Sequence, residues 1–360
     1  MKKVFIFGYY GFQNIGDEAI LSAIVSTLRK EKEDIYISAL SYNAQYTEKL
    51  HDIHAVSRNS LRGIIQAIRE SDLVISGGGS LLQDVTSSRS LIYYLSIIYL
   101  AKKMGKKVMF YGNGFGPITK HWNRYLLQRI LRQVDRITLR DYDSMETFEA
   151  IVLNKSVEVT ADATFVLEPE EHDQVQHILK AENIPMDKPL VGISVRPWKH
   201  ADSIVKVLAS VSDYIIDRNM NVVFLPMQFT KDIAMSQQIC DRMKNKAYVL
   251  QQEVNPKEMI GVIGKMDFLI GMRLHALIFA ARMGVPMIGI EYDPKIKGFL
   301  DVVRQTNIGK VEELDTIKLC SEFDRLWNER QKDQQMLQKT AEYLKKKAAI
   351  NGEIAVRLLE

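Results

Sequence analysis

The sequence predicts an α/β protein made of two Rossmann-like domains, each built on a parallel sheet. Three observations carry that prediction. Short apolar runs alternate with longer amphipathic stretches from one end of the chain to the other. The runs are continuous in Val, Ile, Leu and Phe rather than alternating in and out, as strands covered on both faces require. At 360 residues the chain exceeds what one ordinary core organises, so two domains are expected. Strand and helix patterns in alternation call for right-handed crossovers between parallel strands.

In chain order, the first series of strands is expected at Val4–Phe7, Ile35–Leu40, Leu73–Ser76, Val108–Gly112, Arg136–Leu139 and Val157–Thr160. A second series follows at Leu190–Val195, Val222–Pro226, Ala247–Leu250, Phe268–Ile270 and Pro286–Ile290. Helical patterns lie between them, for example Asp17–Lys30, Asn123–Gln133, Ile204–Arg218 and His275–Met283. The composition shifts over Leu167–Lys188, where an acidic Pro-containing stretch precedes a helix and then Pro185 and Pro189. This gives an N-terminal domain at 1–170, a C-terminal domain at 188–327 and a helical tail at 328–360. The segments Asp72–Gly77 and Asp267–Gly271 echo each other as strands ending in glycine, as two similarly built halves would.

Composition narrows the function. Lys plus Arg number 48 against 44 Asp plus Glu, a net charge of +4 that is too small to argue for nucleic acid. It is compatible with a small anionic substrate held by local cations. Cys240 and Cys320 are far apart and form no CxxC or Cys/His cluster, so neither zinc nor a disulfide framework is indicated; low cysteine use fits a reducing compartment. The apolar run after Met1-Lys2-Lys3 is too short for a signal peptide. The longest apolar stretch, Leu91–Ala101, is about half of a membrane span. A soluble cytoplasmic protein is expected, with any membrane contact peripheral. Lys345-Lys346-Lys347 reads first as a solvated helix face, with a membrane-surface role as the alternative.

Ligands of open α/β sheets sit outside the carboxyl ends of the strands, so the polar residues there are the candidates. Gly8–Glu18 follows the first strand but matches neither GxGxxG nor a Walker A loop. Asn14 and Asp17 are candidates for sugar hydroxyls there, against plain helix capping. Gly77-Gly78-Gly79-Ser80, followed by Asp84, reads as backbone N–H groups at a helix N-terminus, suited to an anion or a close-lying sugar. Gly112–Pro117, with Asn113, is a second glycine-rich strand end. Arg140 beside Asp141 is either a structural ion pair or a planar fork for a carboxylate or phosphate.

The most informative piece is Gly271–Ala276. Arg273 and His275 stand two residues apart where a helix begins, so both can lean one way while Leu274 packs away. His275 exchanges a proton near neutrality. Lys295 and Lys297, after the last apolar strand, are candidates for phosphate, with a solvated loop as the equal alternative. Trp198, in Arg196-Pro197-Trp198, either stacks on a sugar or packs.

Together these pieces resemble the polysaccharide pyruvyl transferase family, in particular its CsaB type. The resemblance rests on Gly11–Leu21 with its Asn-Ile-Gly-Asp-Glu-Ala-Ile-Leu core, Gly77–Gly79, Gly112–Pro117, Thr138–Asp141 and Gly271–His275, in the family's order. Asn113 departs from it, Gln being more usual there. The resemblance implies a GT-B-like fold with the active site in the cleft between the domains, the N-terminal one on the acceptor side and the C-terminal one on the donor side. It implies phosphoenolpyruvate as co-substrate, with no cofactor, no required metal and no nucleotide sugar. By the resemblance Arg140, Arg273 and His275 would serve the donor and catalysis; Lys295 and Lys297 join them as donor candidates from their place after the last strand alone. Asn14, Asp17, Gly78, Gly79, Asp84 and Asn113 would face the acceptor. For the CsaB type that acceptor is N-acetylmannosamine in a lipid-diphosphate-linked precursor of the secondary cell-wall polymer that anchors S-layers, which implies work at the inner face of the cell membrane. The rival readings are a nucleotide-sugar glycosyltransferase and a non-catalytic two-lobed sugar-binding protein. A dehydrogenase fails for want of GxGxxG.

Overall fold

The computed structural model describes residues 1–85, 87–199 and 201–360. Unit 1 comprises Met1–Gln13, Asp17–Leu167 and Leu344–Glu360; unit 2 comprises Asn14–Gly16 and Glu168–Tyr343.

Unit 1 runs β1 (Lys2–Phe7), α1 (Ile15–Glu31), β2 (Ile35–Ser41), α2 (Ala44–His51), β3 (His54–Ser57), α3 (Leu61–Glu70), β4 (Leu73–Gly77), α4 (Ser88–Lys103), β5 (Lys107–Asn113), α5 (His121–Leu131), β6 (Arg136–Leu139), α6 (Tyr142–Glu149) and β7 (Glu158–Val159). All its strands are parallel, in the order β3-β2-β1-β4-β5-β6-β7. Chain direction across the sheet therefore reverses between β1 and β4, and the loops after those two strands flank the switch point. Asn43, Ser60, Ser87 and Asp141 cap α2, α3, α4 and α6 by accepting backbone N–H bonds, the expected use of short polar side chains there. The core packs Phe5, Phe7, Val74 and Phe110 against Leu91, Tyr94, Leu95 and Ile98 of α4. That burial accounts for the long apolar stretch. Among the described residues no helix is long and apolar enough to cross a membrane.

Unit 2 repeats the plan. After α7 (His172–Ala181) come β8 (Leu190–Ser194), α8 (Ala201–Ile216), β9 (Asn221–Phe224), α9 (Phe229–Cys240), β10 (Tyr248–Val249), α10 (Pro256–Ile263), β11 (Phe268–Gly271), α11 (Leu274–Met283), β12 (Met287–Glu291), α12 (Pro294–Val303), β13 (Thr306–Lys310) and α13 (Thr316–Leu359). The parallel order is β10-β9-β8-β11-β12-β13, with the reversal between β8 and β11. Val191, Ile193, Phe224 and Ile270 fill the core with Leu208, Ile215 and Phe323. The two parallel sheets are the architecture the sequence predicts.

The C-terminus differs from the expected separate tail. Helix α13 begins at Thr316 and is continuous to Leu359, and from Leu344 onward it groups with unit 1. Fully buried Asn351 fixes it there. Its Oδ1 accepts from Thr160 Oγ1 at 3.0 Å and also from Thr138 Oγ1, while Nδ2 donates to Ala348 O at 3.0 Å. Nearby, Lys347 Nζ donates to Val159 O at 3.2 Å, so that lysine is not a free surface charge. Asn351→Ala strips partners from buried hydroxyls and is expected to lower unfolding stability by about 1–3 kcal/mol in urea titration; an unchanged midpoint would count against this anchoring.

Candidate active site

Unit 2 gathers cations at its switch point. Strands β8 and β11 pair with Gly271 opposite Ser194, and the Met272 N–H donates to Ser194 O at 2.7 Å. Arg196 and Arg273 each lie two residues beyond that pair, at the same edge of neighbouring strands. Arg273 is the N-cap residue of α11, extended at φ −80 and ψ 121. This geometry turns Arg273 and His275 toward partial exposure while Leu274 and Ala276 are buried.

The guanidinium of Arg273 forms a two-pronged pair with Asp232: Nε donates to Oδ2 at 3.0 Å and Nη2 to Oδ1. Asp232 is fully buried in the first turn of α9 and also accepts the N–H groups of Met227 and Gln228, at 3.1 and 2.9 Å. The carboxylate is thus clamped from two sides and holds the arginine's plane. The His275 ring packs against Gly16, where a Cβ would lie 2.0 Å from Nδ1; only glycine fits beside it. Asn14–Gly16 reaches this place because Ile15 N–H donates to Met227 O at 2.8 Å and Asn14 bridges Gln228. Asn14 is therefore placed with the Arg273–His275 set rather than with the loops of unit 1 expected to face the acceptor, and its Oδ1 accepts the Gly16 N–H at 3.2 Å.

Lys295 and Lys297 separate. Lys295 Nζ lies 3.3 Å from Asp293 and 5.3 Å from the Tyr292 ring centre. Lys297 is 62% exposed and pairs along α12 with Asp301 at 3.6 Å, the behaviour of a solvated helix face. Tyr292 also receives Arg196, whose guanidinium stands 4.2 Å from that ring centre and 5.5 Å from the Trp198 ring. Arg196 Nε is buried without a hydrogen-bond partner. Trp198 thus packs on Arg196, with its Nε1 donating to Glu312 at 2.9 Å. Sequence reading gave no role to Asp232 or Arg196. Arg196 sits just past β8, which was the one available signal, whereas Asp232 lies inside the first turn of α9, where an acid reads as ordinary dipole compensation.

In unit 1 the loops after β1, β4 and β5 brace one another. Glu18, buried, accepts the Gly11 N–H at 2.8 Å and pairs with buried His51 at 3.0 Å, fixing the first loop. The glycine triplet is not at a helix N-terminus, as the sequence suggests, because α4 starts only at Ser88. Gly78 and Gly79 have φ of +64 and +68, and a Cβ on Gly77 would strike the Tyr10 hydroxyl at 2.2 Å. Left-handed backbone and close packing thus account for all three residues. Asp17 lies near the triplet, 3.4 Å from the position of a Cβ on Gly79. Tyr9 is pushed above the ordinary tyrosine pKa, first by burial and then by the Asp17 charge. Asn113 Nδ2 donates to Ser76 Oγ and Gly78 O, both at 3.2 Å. Two acceptors at Nδ2 fix the amide orientation, and the buried Oδ1 is left without a partner. Such an acceptor costs about 1–3 kcal/mol unless a ligand or water supplies a donor.

Asp84 is fully engaged in bracing the loops. It accepts from Thr119 N and Oγ1, Lys120 N and Asn123 Nδ2, at 2.8 to 3.0 Å. Burial pushes its pKa up, yet those bonds outweigh burial and hold it at about 2. Its contribution to stability is present above the ordinary carboxylate range and lost as pH falls through about 2. Arg140 is buried and ion-paired, Nε to Asp141 at 3.1 Å and Nη1 to Asp162 at 3.4 Å, with Nη2 3.5 Å from Ser80 Oγ. Burial disfavours its charge, and the two carboxylates more than restore it. Gly114 makes room for it, since a Cβ there would lie 2.9 Å from Nη2.

The chain is similar to known proteins in sequence and in fold. The amylovoran biosynthesis protein AmsJ of Erwinia amylovora is 24% identical, over 83% of this chain and 85% of its own. Among solved structures, a UDP-bound MnaA from S. aureus superposes with a TM-score of 0.68 at 12% identity, over 99% of this chain and 95% of that one. The Anabaena Alr3699/HepE protein in complex with UDP-glucose gives 0.66 at 11%, over 99% of each. A putative UDP-N-acetylglucosamine 2-epimerase from Listeria monocytogenes gives 0.67 at 13%, over 97% and 94%. At these identities the structures establish a GT-B-like fold and nothing of the chemistry. The profile of polysaccharide pyruvyl transferases matches residues 14–294, most of the chain, and the protein belongs to that family.

Proposed function

We propose that the protein transfers the pyruvyl group of phosphoenolpyruvate to a sugar, forming a cyclic ketal and releasing phosphate. The observation that carries this reading is the Arg273–His275 pair at the β8/β11 switch point, with Arg273 locked by Asp232. The donor bears a carboxylate and a phosphate on either side of its reactive carbon, so it needs cations that cannot swing away. Arg273 meets that need in unit 2, with Lys295 and the aromatic-flanked Arg196 at the same sheet edge. Arg140, kept charged by Asp141 and Asp162, is a further cation, one that the family resemblance assigns to the donor.

In the reaction, His275 as imidazolium protonates the methylene carbon, and the central carbon becomes cationic. A sugar hydroxyl attacks it and gives up its proton to a carboxylate base; proton exchange with solvent then returns His275 to imidazolium and the base to its carboxylate. Phosphate then departs, and a second hydroxyl closes the ketal with its proton leaving on phosphate. Asp17 is our candidate base for the acceptor. Asp84 is not, because a carboxylate held at about 2 by hydrogen bonds is too weak a base. The unpartnered Asn113 Oδ1 offers an acceptor to a sugar hydroxyl. The finer reading is a CsaB-type enzyme in the cytoplasm, at the inner membrane face. Its acceptor is N-acetylmannosamine in a lipid-diphosphate-linked cell-wall polymer precursor.

The test is incubation with phosphoenolpyruvate and a synthetic N-acetylmannosamine-containing disaccharide, read by mass spectrometry and phosphate release. The expected result is the mass gain of a pyruvyl ketal with one phosphate per ketal. Consumption of a UDP-sugar with phosphoenolpyruvate untouched would replace this reading with that of a glycosyltransferase.

A further inference from the structure

The fifty residues from Val85 to Val134 contain no Asp or Glu, in a chain with 44 of them. The same stretch carries nine Lys and Arg, more than twice the net charge of the whole protein, +4. It comprises α4, β5 and α5 with their loops. The crossovers β4-α4-β5 and β5-α5-β6 run in the same direction across the sheet, so both helices cover one face, and they pack against each other. The lack of acids is therefore shared by two helices that lie side by side, and acids return on that face of the sheet only with the next helix, α6, in Asp143, Glu146 and Glu149.

Helix α5 presents an unusual outer side. Asn123, Leu127 and Leu131 face inward. Trp122, Tyr125, Arg129 and Arg132 follow at helical spacing on the opposite side, all exposed. Trp122 is 68% and Tyr125 53% exposed, and their rings lie 5.9 Å apart. A large aromatic pair held in water beside arginines, on a rigid helix, is the composition of a membrane-interface anchor. Exposed Arg89 and Ile92 of α4 extend the same character.

We propose that this α4–α5 face docks the protein on an anionic phospholipid bilayer, with Trp122 and Tyr125 entering the headgroup layer and the flanking arginines meeting lipid phosphates. Charge complementarity selects the occupant: the two helices carry cations and no acid of their own, Lys102 being paired at their border with Asp135 at 2.7 Å, and each cation near an anionic surface adds attraction. The inference does not depend on the reaction proposed above, since it rests on residues outside that site.

The experiment is sedimentation of the full chain with vesicles of phosphatidylcholine containing about one-third phosphatidylglycerol, against pure phosphatidylcholine. We expect binding to the anionic vesicles that weakens with salt. Trp122→Ala with Tyr125→Ala, and separately Arg129→Ala with Arg132→Ala, should each lower the partition coefficient on the order of tenfold or more. Lys244→Ala with Lys246→Ala, in unit 2, should leave it unchanged. As a readout independent of those variants' folding, brominated acyl chains should quench the native fluorescence, and Trp122→Phe should abolish the quenching. Turnover of a short water-soluble acceptor should be unaltered in all of them, so loss of vesicle binding and loss of pyruvyl transfer are distinguishable. Equal binding to neutral and anionic vesicles, binding undiminished in both α5 variants, or binding to a soluble polyanion without binding to vesicles would overturn the proposal.

Discussion

Replacing His275 with Ala is expected to cut turnover with phosphoenolpyruvate by about 10²–10⁴-fold, the range typical of a lost general acid–base group, while the melting temperature stays within a few degrees. The side chain is half-buried on α11, and its backbone neighbours Leu274 and Ala276 keep their packing, so little of the core depends on the ring. A companion substitution adds atoms instead of removing them. Gly16→Ala would place a methyl group 2.0 Å from His275 Nδ1, so the ring must move. Turnover should fall here too, although every ionisable group is retained. Single-turnover measurements on both variants check the assignment; near-normal chemistry in His275→Ala would reject it.

Asp232→Ala is expected to have the largest effect on stability, a loss of about 3–5 kcal/mol in denaturant unfolding, because it leaves Arg273 with an unpaired and largely buried charge. The Arg273 side chain is only 12% exposed. The variant also orphans the N–H groups of Met227 and Gln228 that the carboxylate accepts. Freed from its clamp, the guanidinium loses its fixed plane, so KM for phosphoenolpyruvate should rise as well. Arg273→Lys separates the two effects: the charge is kept, the two-pronged geometry is lost, and the KM change should exceed the stability change. A variant of Asp232 with wild-type unfolding would mean that the pair contributes nothing as built.

Much of the fold was legible because burial leaves a local signature. Strands covered on both faces must be apolar throughout, and the continuous runs at Val4–Phe7, Leu73–Ser76, Leu190–Val195 and Phe268–Ile270 became β1, β4, β8 and β11. The strands that sequence reading missed are edges. Strand β3 is His-Ala-Val-Ser and β13 is Thr-Asn-Ile-Gly-Lys; with a neighbour on one side only, each keeps polar residues that break the run. The glycine triplet was legible as special, but its cause was not. Positive φ at Gly78 and Gly79, and a tyrosine hydroxyl against Gly77, look the same in sequence as backbone exposed for a ligand.

By itself the sequence determined the α/β class, the parallel sheets and the pairing of Arg273 with His275 on one side of Leu274, since a capping residue followed by a helical turn sets those directions within a few residues. Tertiary structure alone decided which partners they have. Asp232 lies 41 positions from Arg273, and Gly16 is further still in sequence from the ring it admits. Such meetings depend on strand order and crossover direction, which bring the ends of β9 and β11 and the Asn14–Gly16 segment together, and no local periodicity records them.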